Sequence, residues 1–186
     1  MQVRRNIMKN RGLRSSDRHP LRMIFSLAAM TIVCMVMAAA VFCEPAEPEQ
    51  GTLILEDPKG KTRYAEYEMA AGDGFSITFI HSVNKSPVTD YFEVREDGIY
   101  GVKTVYYGFG AGVQTELLEG QTLTYGEDGS MIISGTEIKM DNLIYRVGTV
   151  SDHVLTLENG DEISLRELCG RSARVGFRFE TDQSDI

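Results

Sequence analysis

Residues 75–95 read FSITFIHSVNKSPVTDYFEVR. Over 75–82 the side chains alternate, with Phe75, Ile77, Phe79 and His81 on one face and Ser76, Thr78, Ile80 and Ser82 on the other. A period of two belongs to a strand with one buried face, because successive side chains of extended backbone point to opposite sides of a sheet. Asn84, Lys85, Ser86 and Pro87 interrupt the pattern, and 88–95 resumes it with Val88, Asp90, Phe92 and Val94 on one face. The two runs therefore read as a hairpin closed by 84–87. A register that pairs Val83 with Val88 sets His81 opposite Asp90, Phe79 opposite Phe92 and Ile77 opposite Val94, so that every inward residue meets an inward residue. His81 and Asp90 are thereby expected to form a buried imidazole–carboxylate pair, the carboxylate holding the ring in one tautomer.

The chain on both sides of this hairpin is patterned in the same way. Strands are expected at 52–56 and 62–68, joined by the turn Asp57-Pro58-Lys59-Gly60, and at 99–107 after Asp97-Gly98. A second group is expected at 121–125, 131–134, 136–140, 143–150, 154–157, 162–165 and 174–180, with Asn159-Gly160 supplying a hairpin turn. A helical turn fits only at 165–169. These features predict one all-β domain over 52–180, a single antiparallel sandwich or partly closed barrel of eight to ten short strands, followed by a polar tail at 181–186.

The N-terminus has a different character. Residues 1–22 hold seven basic side chains (Arg4, Arg5, Lys9, Arg11, Arg14, Arg18, Arg22) and one acid, Asp17. Residues 23–42 (MIFSLAAMTIVCMVMAAAVF) carry no charge, a length at the border between a signal core and a membrane-spanning helix. Both readings leave the basic flank in the cytoplasm and export the chain beyond the apolar segment. Ala38 and Ala40 provide a small-x-small cleavage pattern, so a cleaved signal and an uncleaved anchor both stand, with a periplasmic or extracytoplasmic location at the cytoplasmic membrane in either case. An acidic, proline-broken linker is expected at 43–51. Beyond residue 22 there are 12 basic against 26 acidic groups, net −14, a balance that excludes nucleic acid as a partner of the folded part because phosphates are held by Lys and Arg. Cys34 lies in the apolar segment, which leaves Cys43 and Cys169 either to pair or, for Cys169, to be a buried free thiol.

Two stretches resemble a family. The run Phe79-Ile80-His81-Ser82-Val83-Asn84-Lys85-Ser86-Pro87-Val88-Thr89-Asp90, the loop Gly108-Phe109-Gly110-Ala111-Gly112, and later Tyr145-Arg146-Val147-Gly148 with His153-Val154-Leu155 are similar to the pattern of the domain of unknown function 1850 family. The likeness covers about 52–180, and it departs at Gly112-Val113-Gln114, where the family often has Leu or Met followed by Pro. The resemblance implies a small exported or membrane-anchored bacterial protein associated with TRAP transporters of the TAXI type, without an established activity. The partners it implies are the transporter's membrane subunits or its substrate-binding protein.

The candidate chemistry centres on the His81–Asp90 pair, which reads either as structural or as part of a ligand site. Ser82 lies beside His81 but points to the opposite face of the strand, so it cannot pass a proton to the ring, and Ser86 has no glycine elbow around it. A metal set of His81, Asp90 and His153 would have two-histidine, one-carboxylate composition, yet His153 is placed only by the family likeness. Gly108, Gly110 and Gly112 form either a close chain crossing or a mouth whose backbone N–H groups meet an anionic ligand such as a small carboxylate. No catalytic residue, metal or cofactor is assigned. Two functions stay open: a non-enzymatic extracytoplasmic accessory domain of a TRAP-type carrier, or a small-ligand-binding or hydrolytic protein with a pocket around His81, Asp90 and the 108–112 loop.

Overall fold

The computed structural model describes residues 47–108 and 116–182. The basic flank, the apolar segment, Cys43, Gly110, Gly112 and residues 183–186 lie outside them. Eleven strands and one short helix follow in order: β1 (Gln50–Glu56), β2 (Arg63–Ala70), β3 (Gly74–Ile80), β4 (Pro87–Arg95), β5 (Gly98–Tyr106), β6 (Thr122–Tyr125), β7 (Met131–Lys139), β8 (Leu143–Arg146), β9 (His153–Leu157), β10 (Glu162–Ser164), α1 (Leu165–Cys169) and β11 (Arg174–Thr181). They form a four-stranded sheet, β2-β1-β11-β8, and a seven-stranded sheet, β10-β9-β3-β4-β5-β7-β6. All the pairings are antiparallel. No strand is shared between the sheets, so the partly closed barrel is set aside in favour of two packed layers, with one strand more than the upper bound expected. Among the described residues no helix is long and apolar enough to cross a membrane.

The core lies between the layers. Phe75, Ile77, Phe92, Val94 and Leu155 of the larger sheet pack with Leu53, Leu55, Val175, Phe177 and Phe179 of the smaller, and the rings of Phe75 and Phe177 stack across the interface at 5.9 Å. Leu53, Leu55, Ile77, Val94, Leu155, Leu165 and Val175 are each 0% exposed. Burial of one such side chain stabilises by roughly 1.5–3 kcal/mol, so together these residues outweigh any single polar contact between the sheets.

The β3–β4 hairpin forms with a different register from that expected. Phe79 pairs with Val88, Ile77 with Asp90 and Phe75 with Phe92. The displacement is even, so the inward faces are preserved while the partners change. Its cause is the loop. Strand β3 stops at Ile80, the His81 N–H donates to the Ser86 carbonyl at 2.9 Å and the Lys85 N–H to the His81 carbonyl at 3.1 Å, with Lys85 at φ +59°. His81 therefore belongs to the turn rather than to the strand.

Two further departures have local causes. The expected strands 131–134 and 136–140 are one strand, β7, passing through Gly135 at φ +101°. A Cβ there would stand 2.8 Å from the Gly120 carbonyl oxygen, so a side chain is excluded on both counts. The expected strand 143–150 stops at Arg146, because the chain turns back at Gly148, where a Cβ would lie 2.2 Å from the Ser151 carbonyl oxygen. The helical turn at 165–169 forms as expected. Ser164 caps it by accepting from the Glu167 N–H at 3.0 Å, an S-x-x-E start.

Candidate functional site

Asp90 is the point at which the two sheets exchange polar contacts. Its alternation with Val88, Phe92 and Val94 turns it inward from β4, where it is half-buried. Thr104 on β5, its cross-strand partner, donates to Oδ1 at 2.8 Å. Tyr145 on β8, in the opposite sheet, donates its hydroxyl to Oδ2 at 2.5 Å. Burial first, and then the charge of Asp90, push the Tyr145 hydroxyl far above the usual tyrosine range, so it remains a proton donor to the carboxylate. Its ring is fixed by edge contacts with Phe79 at 6.2 Å, Phe92 at 6.4 Å, Phe177 at 6.1 Å and His153 at 5.9 Å.

His153 opens β9, opposite Phe79, and stacks on that ring at 4.9 Å. Its Nδ1 accepts from the Gly148 N–H at 3.2 Å, which leaves the proton of the neutral ring on Nε2. Burial lowers its pKa and outweighs the opposing charges of Asp152 and Asp90. Asp152 in turn clamps the β8–β9 loop onto α1. Its Oδ2 accepts from the Ser164 hydroxyl at 2.5 Å and its Oδ1 from the Arg166 N–H at 3.0 Å. Burial opposes the charge of Asp152, but these bonds and the His153 N–H hold its carboxyl below the usual range.

His81 is buried and serves a different structure. Its Nδ1 accepts from the N–H groups of Val83 and Asn84, at 3.3 and 3.5 Å, and so stabilises its own turn. The His81–Asp90 bond expected across the hairpin is not made, because the register puts Asp90 opposite Ile77 and the carboxylate takes Thr104 and Tyr145 instead. Ser82 is exposed in that turn. The buried Ser86 hydroxyl has no hydrogen-bond partner among the described residues, so no serine–histidine couple is assembled from this hairpin. Nor do three His, Cys, Asp or Glu side chains converge on a metal position among the described residues, which removes the His81–Asp90–His153 set. Gly108 alone of the three loop glycines is described, and its carbonyl accepts from the Asn84 side chain at 2.9 Å. Cys169 is a half-buried free thiol, pushed up to about 11 by burial.

Sequence reasoning did not single out Thr104 or the hydroxyl of Tyr145. A signal was present for the latter, since Tyr145 alternates with Leu143 and Val147, both buried. A hydroxyl on an otherwise apolar inward face requires a partner.

One end of the larger sheet has a separate character. The row His153, Phe79, Val88, Tyr106, Met131 crosses the sheet there, and just beyond it Ile80, Val83, Tyr107 and Val150 are exposed, Val83 at 63% and Val150 at 89%. Ser151 Oγ bonded to the Ile80 carbonyl at 3.3 Å and Asn84 bonded to Gly108 tie the loops of this end together.

The family model described as domain of unknown function (DUF1850) matches residues 75–165, from β3 to the first residue of α1. The match supports the family likeness read from the sequence, over a narrower span than 52–180. No curated protein and no solved structure gives a significant match. The matched span contains both halves of the Asp90–Tyr145 bond, together with Gly148 and His153.

Proposed function

We propose that this chain is a non-enzymatic accessory protein working outside the cytoplasmic membrane, docked through the loop end of its sandwich onto a TRAP carrier of the TAXI type. The observation that carries this reading is the exposure of Ile80, Val83, Tyr107 and Val150 at the loop end of the larger sheet, since exposed large apolar side chains rimmed by polar residues mark contact sites. The reading of the marked polar residues as structural follows from their engagement with their own fold: Asp90 accepts from Thr104 and Tyr145, His81 from Val83 and Asn84, and His153 from Gly148. The carrier as partner rests on the family likeness, and the extracytoplasmic location on the basic flank and apolar segment.

Co-purification of the tagged full-length chain from native membranes tests the proposal. TRAP subunits should be recovered with the wild type and lost with the double change Val83→Asp, Val150→Asp, which places charge on exposed positions without touching the core. Recovery of the same subunits with the double variant, or of none with the wild type, overturns it. A periplasm-dependent reporter enzyme fused after Ile186 should be active; an inactive fusion, with an active cytoplasmic control, refutes the topology.

A further inference from the structure

A cleft of about 220 Å³ opens beside Asp90, between β4, β5, β7 and the facing β8. It exists because the ladders break at one place. Opposite β4, strand β5 carries Val102 as an extra residue between Gly101 and Lys103. Opposite β7, the same Val102 faces the three-residue excursion 135–137. Bulges of this kind re-aim side chains and recur next to binding sites. The walls include Phe92, Ile133, Met140, Leu143 and Tyr145, and Asp90 lines the cleft from within.

Asp90 is distinguished by what it lacks. Both of its oxygens accept one hydrogen bond from a neutral hydroxyl, which leaves acceptor capacity on each. Among the described residues it makes no ion pair. Lys103, adjacent to Thr104, also lines the cleft, but its ammonium lies over the ring of Tyr91 at 3.9 Å and makes no ion pair with Asp90. His153, the nearby imidazole, is held neutral by burial. A half-buried carboxylate that makes no ion pair, in a cleft whose aromatic and aliphatic walls are joined by Lys103, Gln121 and Ser134, is complementary to a cation that can both donate to it and rest against an aromatic face. The same charge disfavours a small carboxylate in this cleft. A divalent metal would need further anionic or imidazole ligands, and among the described residues none converge.

We infer that this cleft is a binding site for a small organic ammonium ion, with Asp90 as its anionic anchor and Thr104 and Tyr145 as the positioning residues that hold the carboxylate. The volume lies below the roughly 300 Å³ at which drug-sized pockets begin, so the ligand is an aliphatic amine rather than a nucleotide or a folded peptide. The site is independent of the loop-end docking surface and stands or falls separately from it.

The test is titration of the ¹⁵N-labelled full-length chain with n-butylammonium, and separately with butan-1-ol and butyrate, followed by amide shifts. Butylammonium should give saturable shifts at Gly101, Val102 and Thr104 in the millimolar range proper to so small a ligand, whereas the neutral and anionic probes should not saturate there. Asp90→Asn should weaken butylammonium tenfold or more, the scale of one charge-assisted hydrogen bond. Equal binding of butan-1-ol, preferred binding of butyrate, saturation at residues elsewhere only, or no saturable shift overturns the inference. The three-probe comparison on the unaltered chain decides the matter even where the variant does not fold.

Discussion

The turn of the β3–β4 hairpin and the polar centre behind it hold one marked residue each, and the two are stabilised over different ranges of chain. His81 accepts from the backbone of Val83 and Asn84, two and three residues away. Asp90 accepts from Thr104 and Tyr145, 14 and 55 residues away and, for Tyr145, in the other sheet. The bonds from Val83 and Asn84 to His81 lie within the hairpin, whereas the Asp90 centre exists only once both layers have assembled. Loss of the first should loosen one loop. Loss of the second should be felt by the whole sandwich.

The largest effect is expected for Asp90→Ala, which strands the Tyr145 and Thr104 hydroxyls and should cost about 3 kcal/mol in urea unfolding. Tyr145→Phe keeps the ring contacts and removes one bond to a charged group, for about 2 kcal/mol. The double change should cost less than the sum, by about 1 kcal/mol or more, because the two residues form one interaction. Full additivity would mean that the inter-sheet bond contributes nothing, and the contrast between turn and centre would lose its basis.

His81→Ala should cost about 1 kcal/mol, through the weak turn bonds and the buried ring. Its cycle with Asp90→Ala should show coupling below about 0.5 kcal/mol, as for residues without a shared bond. Strong coupling would restore the cross-strand pair that the register rules out.

A smaller effect concerns acid. The His153 pKa is lowered in the folded chain, while the unfolded ring titrates near its ordinary value of about 6.5. As pH falls through that value the unfolded chain takes up the proton first, so this contribution to stability is present above about pH 6.5 and is lost below it. His153→Phe, which preserves an aromatic ring against Phe79, should flatten stability between about pH 7 and pH 5 relative to the wild type. An unchanged slope would mean that the ring is protonated without cost in the fold.

Much of the architecture could be read from local pattern. Alternation at Phe75, Ile77 and Phe79, the turn at Asn159-Gly160 and the helical turn at 165–169 each depend on neighbours within a few residues, and each forms where expected. The family resemblance also brings Tyr145, Gly148 and His153 forward, though without a role for them. The hairpin partners were not legible, because a displacement of even length leaves every inward residue inward and the sequence pattern cannot distinguish the two registers. The geometry of the loop decided between them.

Composition and period two by themselves determined that residues beyond the acidic linker build an antiparallel β structure with Phe75, Ile77, Phe92 and Val94 inside. They determined that Asp90 faces inward as well. Which groups meet its carboxylate was decided only by the tertiary structure, because Thr104 and Tyr145 reach it through strand order and sheet packing; the alternation of Tyr145 with Leu143 and Val147 shows that it faces inward but not which group it meets. The cleft at Val102 has the same origin: it arises from a mismatch between neighbouring ladders, which becomes a physical object only when three strands lie side by side.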